Sequence, residues 1–178
     1  MPNQQPTITG TSGREFAGSA AALLAFIVNE DERLLMLSAP DSAYWQVVGG
    51  ALNSGETVLD GTLREIREEA GPVQVRPLGV FHAYTFPYDD NVQYLLCVCT
   101  LFAYEGGTIV PGDDMAGSTV RWFSADELEN GIYPNVIPSQ MPWIFRRAIE
   151  LFRLWKNQSP VELQPTFENP NRRRSKDN

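Results

Sequence analysis

The pattern of hydrophobic and polar positions along the chain predicts a sheet-rich domain. Five runs rich in apolar and β-branched residues predict strands at 20–28, 33–38, 44–48, 93–104 and 119–123. The polar, largely acidic segment 29–32 between the first two runs predicts a hairpin turn. The run at 93–104 is the longest, so we expect it at the centre of the sheet.

Two segments change to the spacing of an amphipathic helix. In residues 57–70 the core-facing positions are three or four residues apart, and they are Leu59, Leu63, Ile66 and Ala70. The Gly71-Pro72 pair predicts the end of this helix. A second helix is predicted at 143–155. Between the two, Ser124 and Glu127 form a capping-box pattern that predicts the start of a short helix. Strands and helices mix without regular alternation, which predicts an α/β fold with a mixed sheet sandwiched between helices.

The length of 178 residues is typical of one domain. We expect a flexible N-terminal segment at 1–18, the domain at 19–156 and a flexible tail at 157–178. The first residues do not resemble a secretory signal, and the apolar run 20–28 is shorter than the about 20 residues needed to span a bilayer. Cys97 and Cys99 provide no disulfide framework and fit two small core residues of a cytoplasmic protein.

The formal net charge of -8 narrows the range of partners. Nucleic acid polymers and anionic membranes favour basic surfaces, so neither is expected as a partner. A small anionic substrate would need a local cation. The sequence leaves a homodimer open.

Acidic residues cluster on one predicted helix face. Glu65, Glu68 and Glu69 project to one side, opposite the core positions, where we expect them to be exposed. Their mutual repulsion is offset well by Mg2+, which prefers carboxylate oxygens, with Mn2+ as a substitute. Arg64 lies four residues before Glu68 and can hold part of the cluster. Alone, this pattern also fits an ordinary solvent-exposed helix.

The complete spacing resembles the Nudix box of the Nudix hydrolases. Its fixed positions here are Gly50, Glu56, Arg64, Glu65, Ile66, Glu68, Glu69 and Gly71. Two positions depart from the family pattern: Pro72 replaces a large aliphatic residue, and Val48 stands where many members have proline. Neither departure changes a charged position. The resemblance extends over roughly residues 20–155.

The resemblance implies the Nudix fold and hydrolysis of a pyrophosphate linkage with Mg2+. It implies that Glu65, Glu68 and Glu69 bind the metal, with Glu56 as a supporting ligand. It also implies that Arg64 orients these carboxylates and contributes to catalysis. The general base is expected to be a glutamate of the cluster.

Further residues are candidates for contact with the substrate or the metal. Gly49 and Gly50 would let the backbone approach the phosphates. Asp113 and Asp114 are candidates for an additional acid, or they form an ordinary turn. His82 lies in a predicted strand between Phe81 and Ala83, and it fits a partly buried structural histidine better than an acid or a substrate contact.

The substrate class is predicted from the loop after the box. Pro87 resembles the pattern of ADP-ribose pyrophosphatases, whereas Tyr88 resembles that of enzymes acting on dinucleoside polyphosphates. Tyr84 could stack on a nucleotide base, or it could equally belong to one face of a strand. We expect ADP-ribose or a nucleotide sugar as the substrate. The alternatives are nucleoside triphosphates, dinucleoside polyphosphates and a non-catalytic ligand-binding role.

Overall fold

The computed structural model describes residues 7–86, 94–130, 135–137 and 142–158. Its strands are β1 (Thr7–Thr9), β2 (Glu15–Ala17), β3 (Ala20–Val28), β4 (Leu34–Ser38), β5 (Val48–Ala51), β6 (Val73–Phe86), β7 (Leu95–Gly107) and β8 (Thr119–Phe123). Its helices are α1 (Val58–Glu65), α2 (Ala125–Glu129) and α3 (Pro142–Trp155). A π-helical turn, Ile66–Ala70, continues α1.

The main sheet is mixed, as predicted. Its strand order is β6-β7-β3-β4-β8, and β5 pairs with β3 outside this path. The strands β3 and β7 run parallel, whereas the other pairs are antiparallel. The central strand is therefore β3. We expected the run at 93–104 at the centre, but β7 lies beside β3.

Side chains of β3 alternate between two hydrophobic layers. Phe26 and Val28 pack in the layer that contains Ile144 and Phe152 of α3. Ala25 and Ile27 pack in the opposite layer with Ile66, which follows α1. Because successive residues of a strand point to opposite faces, a strand buried on both sides has a continuous apolar sequence. This arrangement confirms the predicted sandwich of a mixed sheet between helices.

The glycines of β5 correct one predicted strand. We expected a strand at 44–48, but β5 is Val48–Ala51, and Gln46 and Trp45 make only isolated bridges. Gly49 lies directly beside Leu24 of β3, and a Cβ there would be 2.9 Å from the Leu24 side chain. The strand pairs through the glycines because they leave room for this close approach.

Strand β6 was predicted only in part, as a strand around His82, and it extends from Val73 to Phe86. It has irregular pairing with β7 between Gln74 and Val75, between Pro77 and Gly79, and between Val80 and His82. Bulges shift the side-chain alternation by one residue, so no single two-residue period extends over this strand.

A separate two-stranded sheet precedes the main sheet. Strands β1 and β2 pair antiparallel, and the side chains of Ile8 and Phe16 are exposed. This hairpin lies within the segment expected to be flexible. Across the described ranges, no helix is both long and apolar enough to span a membrane.

Candidate active site

Helix α1 presents the acidic cluster to the glycines of β5. Its N-cap is Thr57, whose hydroxyl accepts a hydrogen bond from the Asp60 backbone at 3.1 Å. Helical structure continues to Ala70 as predicted, but its last turn is π-helical. Such wider turns within helices are frequent at functional sites.

Glu69 lies inside the protein, so the expectation of an exposed position was wrong. The residue is only 3% exposed. The Gly49 backbone N–H donates a hydrogen bond to Glu69 Oε2 at 2.9 Å. Burial raises the pKa of Glu69 to about 7, although the bond from Gly49 opposes this effect. The negative charges of Asp114, Glu65 and Glu68 raise this pKa further.

Glu65 is also buried, against the backbone of Gly50. The residue is 8% exposed. A Cβ placed on Gly50 would lie 2.5 Å from the carboxylate carbon of Glu65. Glycine at position 50 therefore leaves the space that this carboxylate occupies.

Arg64 links three glutamates through its guanidinium group. Nε donates to Glu56 Oε1 at 2.8 Å, and Nη2 donates to Glu56 Oε2 at 3.1 Å. Nη1 donates to Glu65 Oε1 at 2.7 Å and to Glu68 Oε2 at 2.8 Å. Nη2 also donates to the Ala51 carbonyl at 2.9 Å. A single planar cation thus positions three carboxylates and the end of β5.

Glu56 is fixed from two directions. Arg64 contacts both carboxylate oxygens, and the Asn53 backbone N–H donates to Oε2 at 3.0 Å. Hydrogen bonds from Arg64, and then from Asn53, lower the pKa of Glu56 to about 2. We did not predict Asn53 as part of the site, although the Asn-Ser-Gly-Glu sequence is typical of a turn.

The donor chemistry of the cluster fits a hard divalent cation. Glu65, Glu68 and Glu69 supply carboxylate oxygens, which Mg2+ and Mn2+ prefer. A cation would also favour the ionised form of buried Glu69. Within the ranges that the structure describes, no three acidic, histidine or cysteine side chains are already arranged to hold a metal. Coordination by all three glutamates therefore requires side-chain adjustment, for which Glu68 has the greatest freedom because its side chain is 38% exposed.

Asp113 and Asp114 belong to a short 3-10 turn, Asp113–Met115, beside the π-helical turn. The negative charge of Asp114 contributes to the raised pKa of Glu69, so Asp114 lies near the cluster. Asp113 has a φ of 53°, a left-handed conformation. The structure thus contains the turn that the sequence suggested, and it brings Asp114 towards the acids.

A row of rings lines the edge strand β6. The rings of His82 and Tyr84 stack with centroids 5.4 Å apart, and Tyr84 stacks on Phe86 at 5.9 Å. Trp143 of α3 contacts His82 edge-on at 5.0 Å. We define these four side chains as the aromatic row. Two predicted substrate contacts, Pro87 and Tyr88, lie outside the described residues.

Small residues lie between the aromatic row and the site glycines. Across the sheet, Tyr84 is beside Cys97, Cys97 is beside Ala22, and Ala22 is beside Ala51. The small side chains of Cys97 and Ala22 form a shallow floor across β7 and β3, between the aromatic row and β5. Both cysteines of the chain are buried, in agreement with their predicted core role.

A cleft of about 750 Å³ lies at the other end of the sheet. It is lined by Arg76, Glu105 and Lys156 among others, and none of the predicted site residues borders it. Arg76 Nε is bound to Glu105 Oε1 at 2.7 Å, so these charges compensate each other. The cleft does not compete with the acidic cluster as the candidate active site.

The family model described as NUDIX domain matches residues 18–144. The chain belongs to the Nudix family. Known Nudix relatives include a putative 8-oxo-dGTP diphosphatase of Bacillus subtilis, 25% identical over 61% of this chain and 69% of the relative. An ADP-ribose pyrophosphatase of Methanocaldococcus jannaschii is 26% identical over 66% of this chain and 70% of the relative.

Solved Nudix structures confirm the predicted fold. A NUDIX family hydrolase from Clostridium perfringens superimposes with a TM-score of 0.63 at 15% identity. The match covers 76% of this chain and 99% of that protein. At this identity the similarity establishes the fold alone, because one fold can host different activities.

Proposed function

We propose that this protein is a metal-dependent pyrophosphohydrolase that cleaves a nucleoside diphosphate linked to another group. The observation that carries the proposal is the contact between two buried glutamates and two glycines. Glu69 accepts a hydrogen bond from Gly49, and Glu65 lies against Gly50. Buried carboxylates are costly for stability, so their presence here is expected of a functional site, and a glycine backbone permits a phosphate to approach.

The three glutamates of α1 and its π-helical turn would hold the cation. A divalent cation neutralises pyrophosphate oxygens and lowers the pKa of a bound water. Arg64 keeps Glu65 and Glu68 oriented, and Glu56 keeps Arg64 in place through two hydrogen bonds. In this arrangement Glu56 acts mainly as a support for Arg64.

A glutamate of the cluster is the proposed acceptor for the proton of the attacking water. Glu69 is favoured because the Gly49 N–H fixes its carboxylate beside the backbone that would face the phosphates. Asp114 is the second candidate, since its charge acts on Glu69 from another loop. Comparing the turnover of Glu69→Gln and Asp114→Asn separates these two assignments.

The aromatic row would bind the nucleoside part of the substrate. Tyr84 offers a ring face for base stacking, and the floor of small residues separates it from Gly49 and Gly50 by two strands. Neighbouring strands are about 4.8 Å apart, so the distance across β7 and β3 to β5 is roughly 14 Å. This span suits a base at one end and a pyrophosphate at the other.

We propose ADP-ribose or a nucleotide sugar as the preferred substrate. The resemblance of Pro87 to the ADP-ribose pyrophosphatase pattern supports this choice, and one relative carries that activity in its name. A second relative is named as a putative diphosphatase of a modified nucleoside triphosphate, which supports triphosphates as the alternative. The resemblance of Tyr88 to the dinucleoside polyphosphate pattern supports those compounds as a further alternative.

The test compares kcat/KM for ADP-ribose, a nucleotide sugar, diadenosine tetraphosphate and a set of (d)NTPs at one Mg2+ concentration. We expect ADP-ribose or the sugar compound to be preferred. A hundredfold preference for a triphosphate, about 2.7 kcal/mol in transition-state stabilisation, would show that the substrate assignment is wrong.

Metal dependence is tested with the same substrates. Chelation by EDTA should abolish turnover, and added Mg2+ or Mn2+ should restore it. Hydrolysis that persists after complete chelation contradicts the role proposed for the glutamates. Tight nucleotide binding without hydrolysis of any compound would instead indicate a ligand-binding role.

A further inference from the structure

The segment that carries Asp114 rests directly on the C-terminal end of the metal-binding helix. The Val110 backbone N–H donates a hydrogen bond to the Ala70 carbonyl at 3.0 Å. Two residues later, a Cβ on Gly112 would lie 2.9 Å from the Glu68 carbonyl oxygen. Both contacts are made to the backbone of the π-helical turn, which holds Glu68 and Glu69. A displacement of this segment therefore moves Asp114 relative to those acids.

Met115 anchors the other side of the same segment. The residue is 3% exposed and packs in the hydrophobic layer with Ile66 and Ala70. Gln46 Nε2 donates to Met115 Sδ at 3.4 Å. The 3-10 turn Asp113–Met115 is thus held between the π-helical turn and the residues that lead into β5. Asp114 lies in the middle of this turn, where its own exposed side chain contributes little to the docking.

We propose that Gly112 is a positioning residue: its missing side chain lets the turn Asp113–Met115 dock on the Glu68 carbonyl, which holds Asp114 towards Glu69. This inference rests on the proposed metal-dependent function. Gly112 has a φ of -129° and a ψ of -173°, an extended conformation open to any residue. Glycine is therefore required there by the space available, and its backbone freedom is not used.

Gly112→Ala isolates this contact because it adds one methyl group without backbone strain. The methyl group would push the turn away from the Glu68 carbonyl, so we expect Mn2+ affinity and kcat each to fall about tenfold. Losses of this size are typical when a residue that supports metal ligands is changed. Mn2+ binding is measured by electron paramagnetic resonance of free Mn2+, and kcat with the best substrate of the panel. Ala116→Ser is the matched control, because Ala116 is an exposed residue of the same segment.

A double-mutant cycle with Asp114→Asn distinguishes positioning from general damage to the fold. If Gly112 acts through Asp114, Gly112→Ala has little further effect on Mn2+ affinity or kcat in the Asp114→Asn background. A full additional tenfold loss in that background, or a large drop in Tm, would assign Gly112 a structural role and overturn the proposal. Unchanged Mn2+ affinity and kcat in Gly112→Ala would overturn it as well.

The Mn2+ measurement also separates this inference from the proposed function. If the wild-type protein hydrolyses no nucleotide but binds Mn2+, the cycle can still be completed on affinity alone. A wild-type protein that binds no Mn2+ would contradict both. The proposal for Gly112 is thus tested independently of the substrate assignment.

Discussion

Helices α1 and α3 cover opposite faces of one sheet, but their charged side chains differ in burial. On α3, the charged side chains of Arg146 and Arg153 are about half exposed and bind surface acids. On α1 and the π-helical turn that follows it, Glu65 and Glu69 are buried at the sheet. Both segments show a similar amphipathic pattern in sequence. Only α1 with its π-helical turn buries carboxylates away from water.

This difference separates residues that serve stability from residues that serve a site. An exposed ion pair contributes about 0–1 kcal/mol, so the charges of α3 are nearly neutral for folding. A buried carboxylate costs several kcal/mol unless it is well compensated. Arg64 compensates Glu65, whereas Glu69 receives a hydrogen bond from Gly49 and faces other acids. Stability alone would not select this arrangement, which is expected of a functional site.

Among the variants proposed here, Glu69→Gln should cause the largest loss of turnover. We expect turnover to fall by about 1,000-fold, which corresponds to about 4 kcal/mol, because the neutral amide neither binds a cation well nor accepts a proton. The amide oxygen can still accept the Gly49 hydrogen bond, so the Tm measured in EDTA should not fall. The matched control is Glu150→Gln on α3, an exposed glutamate that should leave turnover unchanged. Full turnover in Glu69→Gln, or a large drop in its Tm, would contradict the assignment.

The second prediction concerns the pH dependence of stability in EDTA. The pKa of Glu69 is about 7 in the folded protein and 4.5 is its ordinary value. Between these pH values the folded state holds more protons than the unfolded state, so the free energy of unfolding should fall as pH rises from about 4.5 to about 7. The decrease is at most about 3 kcal/mol, since one pKa unit corresponds to about 1.4 kcal/mol.

Chemical denaturation at several pH values measures this decrease, and Glu69→Gln is the control. The variant lacks the titrating group and should lose this part of the pH dependence. Equal slopes for the two proteins would show that Glu69 is not the group responsible.

The burial of Glu69 illustrates how far the sequence could predict the site. Periodicity correctly places Glu65, Glu68 and Glu69 together on one helix, because spacing within a helix is a local property. It does not indicate what packs against that helix. Gly49 is distant in sequence and becomes a partner only when β5 pairs with β3. The sequence therefore predicted the residues of the cluster but not their burial.

The strands show the same limit on what the sequence can predict. Strands with a regular apolar pattern, such as β3, β4 and β8, were confirmed nearly to the residue. Strand β6 was predicted only around His82, because its bulges interrupt the alternation along the rest of the strand. The contribution of Asp114 depends on a turn docked through Gly112, which no local pattern indicates. The roles of Pro87 and Tyr88 stay predictions.

Arg64→Lys should have an intermediate effect. The guanidinium group of Arg64 reaches Glu56, Glu65 and Glu68 at once, and an ammonium group cannot match this planar geometry. We expect kcat to fall about tenfold, or about 1.4 kcal/mol, with a weaker apparent affinity for Mg2+. Steady-state kinetics at several Mg2+ concentrations measure both quantities. Unchanged kinetics would mean that the carboxylates are oriented without Arg64.

Arg146→Gln should have the smallest effect, although Arg146 makes ion pairs with two acids. Its guanidinium group binds Asp126 and Glu129 of α2, but the side chain is 48% exposed. Water and salt screen these contacts, so the free energy of unfolding should change by less than about 1 kcal/mol. Turnover should be unchanged, because Arg146 pairs with acids of α2 and belongs neither to the acidic cluster nor to the aromatic row. Denaturation at low and high salt measures the contribution, with Arg147→Gln as the control for loss of one exposed charge on the same helix. A loss above about 2 kcal/mol that salt does not reduce would show that α3, like α1, depends on its charges, and the contrast between the two helices would then fail.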